Sequence, residues 1–117
     1  MEKNNPIVPT ELHGNWLDTS GNNHLITANS FSFSWSGGSF TFSVLSFSNE
    51  INETKISKEE FPSGYKLNGK ILSSSGDFET TPNFAIGNNF SVFCFLNSTK
   101  DKMITDGNSK VVIFTKQ

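Results

Sequence analysis

From Ser30 to Val44 large apolar and hydroxyl residues alternate strictly. Phe31, Phe33 and Trp35 alternate with Ser30, Ser32, Ser34 and Ser36; after Gly37-Gly38, Phe40, Phe42 and Val44 alternate with Ser39, Thr41 and Ser43. A period of two marks strands with one buried face, and a two-residue Gly-Gly loop suits a type I′ or II′ hairpin turn. Such a loop sets Ser36 opposite Ser39, Trp35 opposite Phe40, Phe33 opposite Phe42 and Phe31 opposite Val44. All the rings then share one face and all the hydroxyls the other, and a one-residue slip would pair ring with hydroxyl throughout.

The same period, less pure, recurs along the chain. His13–Asp18 and His24–Ala28 predict two short strands around the turn cluster Ser20-Gly21-Asn22-Asn23. The strand after Gly38 is expected to run on to Phe47 through a bulge, because apolar parity switches between Val44 and Leu45/Phe47. Asn49–Ile56 fits a solvent-facing strand, and Ser57-Lys58-Glu59-Glu60 fits a capping box for about one helical turn, stopped by Pro62. Tyr65–Leu72, Phe90–Leu96, Lys102–Thr105 and Lys110–Thr115 complete the strands, with Ser73–Asp77 and Asp106-Gly107-Asn108 as turns and Phe78–Ile86 as a weak strand or loop broken by Pro82. Roughly eight or nine short strands at this spacing predict an antiparallel sandwich or barrel. A barrel leaves no open edge for such Phe-rich strands. The expected fold is therefore all-β: an antiparallel up-and-down barrel of about eight strands with at most one short helical turn.

Composition narrows the function. Twelve Phe and two Trp must supply the core of one 117-residue domain. All nine basic residues are Lys, and the net charge is only −2. Without Arg or a basic stripe the chain lacks the tools for nucleic-acid readout, so no nucleic-acid partner is expected. The single Cys94 lies in an apolar run and is expected to be a small buried hydrophobe. Residues 1–10 carry no apolar signal core and no transmembrane segment follows. They are expected to be a flexible tether ahead of a single domain, residues 11–117. A polar, Pro-punctuated opening suits an exported protein, periplasmic or cell-surface and lipid-anchored in one version, whose signal has been removed; a cytoplasmic protein is the competing expectation.

Gly14-Asn15-Trp16 on the first strand, followed by a turn and a meander of strands, resembles the lipocalin-like (calycin) barrels, and the length resembles small bacterial lipocalin-like domains. The resemblance implies that Gly14 and Trp16 are structural, with the indole across the closed end of the barrel. Such barrels commonly keep a basic residue, usually Arg, over that Trp near the last strand; here only Lys110 or Lys116 is available. Thr105-Asp106 resembles the Thr-Asp pair of typical lipocalins but lies closer to the C-terminus.

No catalytic constellation stands out, and no enzyme is expected. Neither a Gly-x-Ser-x-Gly elbow nor a Ser-x-x-Lys pattern is present, and Gly37-Gly38 is not followed by the helix start and Lys of a phosphate loop. His13 and His24, the only histidines, are expected to lie apart on the surface, so no metal and no cofactor is expected. The aromatic stripe is the strongest candidate: Trp16, Phe31, Phe33, Trp35, Phe40, Phe42 and Phe93 are expected either to pack solid or to line a cavity for a small apolar ligand. The strand Phe90–Leu96 has bulky residues on both parities, so its outer rings Phe93 and Phe95 need cover from the Ser57–Phe61 turn, the N-terminal arm or another subunit. Left bare, they would form an aromatic face for a protein partner. The two readings are thus a ligand-holding barrel and a solid-core surface module.

Overall fold

The computed structural model describes residues 8–50, 60–107 and 110–117. Eight antiparallel strands, each paired with the next in sequence and the last with the first, close into an up-and-down barrel. They are β1 (Gly14–Asp18), β2 (Asn23–Ile26), β3 (Ser30–Trp35), β4 (Gly38–Asn49), β5 (Ser63–Gly76), β6 (Asn89–Leu96), β7 (Lys102–Gly107) and β8 (Lys110–Lys116). The described residues add two 3-10 turns, Thr10–Leu12 and Pro82–Phe84, and no helix among them is long and apolar enough to cross a membrane. Residues 57–59 of the expected capping box and most of the strand expected at 49–56 fall outside the described residues.

The ring-and-hydroxyl hairpin keeps its faces, but its register differs from the expected one by two residues. Phe31 faces Phe42, Phe33 faces Phe40, and Trp35 faces Gly38, so the turn is Ser36-Gly37. Neither turn residue has a positive φ, so this is not a I′ or II′ turn. Gly38 serves the sheet instead: a side chain there would begin 2.4 Å from the Ser75 carbonyl oxygen of β5. A shift of two returns every side chain to the same face, which is why the alternation could not expose it. Outside, the hydroxyls bond across the strands, Ser32 to Thr41 and Ser39 to Ser75, each at 2.8 Å.

The bulge lies where the parity switch placed it. Pairing steps from Val44 opposite Gly69 to Ser46 opposite Asn68, leaving Leu45 as the extra residue, 58% exposed. Beyond it Phe47 stands opposite Leu67, and its ring meets Tyr65 edge-on. Inside the bulge the strands come so close that Gly69 has no room for a side chain; a Cβ would sit 1.6 Å from the Ser43 carbonyl oxygen. A second irregularity leaves Leu72 of β5 as an extra, exposed residue.

Two apolar clusters follow. The main one lies inside the barrel and includes Val8, Leu12, Trp16, Phe31, Phe42, Leu67, Leu96, Met103 and Phe114. Val8, within the segment expected as a tether, is buried and its N–H donates to the Ala28 carbonyl. The second cluster lies on the other face of β6 and joins Phe95, Ile104 and Phe61, with Phe93 packed beside it. Phe61, at the end of the turn expected to cover these rings, covers Phe95 to 2% exposure. The Phe95 ring also lies over Gly64 of β5, and Lys66 Nζ stands 5.5 Å from the centre of the half-buried Phe93 ring. These rings are therefore not an open aromatic face for a partner. Cover comes from the same chain.

Candidate functional site: an aromatic cavity at the open end

The two ends of the barrel differ in how the chain closes them. At the end where β1 begins, the turn Thr10–Leu12 folds under the strands and buries Leu12. Trp16 lies above it, fully buried, and its indole N–H donates to the Leu12 carbonyl at 2.9 Å. Lys116, on the last strand, crosses Trp16 with its ammonium 5.3 Å from the ring centre and donates to the Glu11 carbonyl at 3.3 Å. Gly14 makes that crossing possible: its φ is +128° and the Lys116 stem passes 3.3 Å from where a side chain would begin. The Tyr65 hydroxyl donates to the Glu11 carboxylate, and burial together with that carboxylate pushes its pKa up to about 12. This end is sealed. Lys116→Met keeps the stem but removes the charge and is expected to cost about 1 kcal/mol, read as a lower urea midpoint with an altered Trp fluorescence spectrum.

His24 corrects the expectation of two surface histidines. It is 1% exposed on β2, opposite Trp16, while His13 stands outside β1 with its ring nitrogen bonded to the Val8 carbonyl. Ile26, two residues on, points inward, so the alternation that buries it also buries His24. The Ser34 backbone N–H donates to His24 Nδ1 at 3.1 Å, which puts the proton of the neutral imidazole on Nε2, donated to Asp18 Oδ2 at 3.0 Å. Burial lowers the His24 pKa, outweighing the upward pull of Asp18. For Asp18 burial works the other way, raising the pKa, but the bonds donated by His24, Asn22 and Ser20 prevail and hold it at about 2. The pair ties β1, β2 and β3 together. It also braces three rings, with His24 edge-on to Trp35 and Phe114 at 4.9 Å and to Phe33 at 5.8 Å.

Above this brace the barrel is not filled. A cavity of about 440 Å³ opens at the end where β3 turns into β4 and β5 runs into the loop 77–88. Phe33, Trp35 and Phe40 form one wall, Phe78 and Phe84 come from the loop, and Phe90 comes from β6. Phe40 is central to this set, with centroid distances of 4.5 Å to Phe84, 5.0 Å to Phe78 and 5.1 Å to Phe90. Val92, Val112 and Thr105 line the remainder, and Asp77 and Gly37 stand at the rim.

Comparison with known proteins matched the chain to no family model, no curated protein and no solved structure.

Of the seven residues expected at a ligand site, Phe33, Trp35 and Phe40 line the cavity. Phe31 and Phe42 are fully buried in the packed core and do not line it, and Trp16 belongs to the sealed end. Phe93 is on the wrong face of β6, in the outer cluster. The alternation that makes Val92, Cys94 and Leu96 inward points to Phe90 instead. Phe78 and Phe84 sit in an aperiodic loop, where no alternation identifies them. Cys94 is fully buried, and burial alone raises its thiol pKa, so it is inert as a nucleophile. Among the described residues no group of three or more His, Cys, Asp or Glu is placed to hold a metal ion.

Proposed function

We propose that the chain is a non-enzymatic, lipocalin-like barrel that holds a small apolar molecule in the aromatic cavity at its open end. The observation that carries this reading is the cavity itself, about 440 Å³, walled by six aromatic rings over a packed lower half. That volume lies in the range of small-molecule pockets, which are apolar and set in the mouths of barrels. A core built only for stability gains by filling such a space, since empty volume forfeits packing energy. The lipocalin-like part rests on Gly14 and Trp16 of β1 and on Lys116, which lies over the indole where such barrels keep a basic residue. The non-enzymatic part is supported by His24, engaged at both nitrogens away from solvent, and by the buried thiol of Cys94.

Titration with the neutral dye N-phenyl-1-naphthylamine tests the reading. A saturable, one-site rise in emission is expected, weakened about tenfold or more by Val92→Phe, which puts a ring into the space. Dye binding that never saturates, or that Val92→Phe leaves unchanged, would return the barrel to the solid-core surface module.

A further inference from the structure

We infer that the ligand class of this cavity is an organic cation: an ammonium group carried on a flat apolar body. The inference rests on the reading of the cavity as a ligand site and adds the charge of its occupant. The first observation is the wall. Phe33, Trp35, Phe40, Phe78, Phe84 and Phe90 surround one space, and aromatic faces carry the negative side of the ring quadrupole, which attracts ammonium groups, quaternary ones above all.

The second is Asp77, the one charged side chain among the lining residues; no Lys lines the cavity. Asp is common in turns because its carboxylate accepts nearby backbone N–H groups, but here the turn is closed without it. Phe78 N–H donates to the Ser75 carbonyl and Glu79 N–H to the Gly76 carbonyl, while the Asp77 carboxylate has no hydrogen-bond or ion-pair partner among the described residues. The Asp77 backbone, by contrast, is pinned from both sides. Its N–H donates to the Gly37 carbonyl at 2.9 Å, and its carbonyl accepts the Thr80 and Thr81 hydroxyls at 3.2 and 2.8 Å. One carboxylate oxygen rests 2.8 Å from where a Gly37 side chain would begin, so the missing side chain leaves the acid its place at the rim. An exposed, unpartnered carboxylate on a pinned backbone at the rim of an aromatic well favours a cation, gives nothing to a neutral ligand and repels an anion.

The test uses two probes of one shape, benzyltrimethylammonium and its neutral isostere neopentylbenzene, each displacing N-phenyl-1-naphthylamine from the whole chain. The wild type is expected to bind the cation about tenfold more tightly than the isostere, the gap narrowing as salt rises. Asp77→Asn is expected to remove most of that preference, read as the ratio of cation to isostere affinity measured in the same variant. The dye affinity of the variant also verifies that it is folded. Equal affinity for both probes in the wild type, an unchanged preference in Asp77→Asn, or displacement by neither probe while the dye still binds would overturn the cation assignment and leave the cavity reading intact. Failure of the dye itself to bind would overturn both.

Discussion

Gly69→Ala is expected to cost the barrel about 3 kcal/mol or more, lowering the melting temperature by about 10–20 °C. The cause is position. Gly69 stands inward on β5 opposite Val44, just before the Leu45 bulge, and the Cβ of an alanine would meet the Ser43 carbonyl oxygen at 1.6 Å, its carbon at 2.7 Å and Val44 Cα at 3.1 Å. All three are backbone atoms of the strand β5 must pair with, so no rotamer change relieves the contact. Either the bulge moves or the two strands part, and these are the longest strands in the barrel. Lys70→Ala, one residue on and facing solvent, is expected to stay within about 0.5 kcal/mol. Urea unfolding of the two variants against the wild type makes the comparison. A loss below about 1 kcal/mol at Gly69 would mean that the bulge relaxes, and with it the register that carries Phe47 to its place opposite Leu67.

Such a contact lies beyond what a pattern of apolar residues reveals, and the other divergences have the same kind of cause. Alternation reports which face a side chain takes, so the faces of the Phe-Ser hairpin and the bulge at Leu45 were legible. Alternation is blind to a shift of two, and the turn moved to Ser36-Gly37 because Gly38 was needed against β5. His24 shares the parity of the inward Ile26, so its burial was legible; its partner was not, because the turn at 18–22 brings Asp18 to it. In β6 both parities are bulky, and the choice between Phe90 and Phe93 depended on the outer cover supplied by Phe61. Half of the cavity wall was therefore readable from the alternating strands. The loop rings Phe78 and Phe84 required the fold.

Asp18→Asn is expected to cost about 3 kcal/mol at neutral pH, although the two side chains have the same shape. Every partner of the Asp18 carboxylate is a donor: the backbone N–H of Ser20 and of Asn22, the Asn22 side-chain amide and His24 Nε2. An asparagine offers one acceptor and turns its own amide hydrogens on the rest. His24 cannot adapt by moving its proton to Nδ1, because the Ser34 N–H already points there. The penalty should also depend on pH with a definite sign. The Asp18 carboxyl is held at about 2 in the fold against an ordinary 3.8, so the unfolded chain takes up its proton first as pH falls. That difference stabilises the wild type by about 2 kcal/mol above pH 4 and is lost between about 4 and 2. His24 acts in the same direction at higher pH: burial lowers its pKa, so stability begins to fall once the pH drops through the ordinary histidine value of 6.5. The variant loses the carboxylate step, and its histidine step deepens because the upward pull of Asp18 on His24 is gone. Urea unfolding should therefore show the gap between wild type and Asp18→Asn narrowing by about 2 kcal/mol as pH falls from about 4 to 2. A gap that stays constant over that range would mean that Asp18 is not held ionised by its donors, and that the tie between β1, β2 and β3 draws its strength from the packed rings alone.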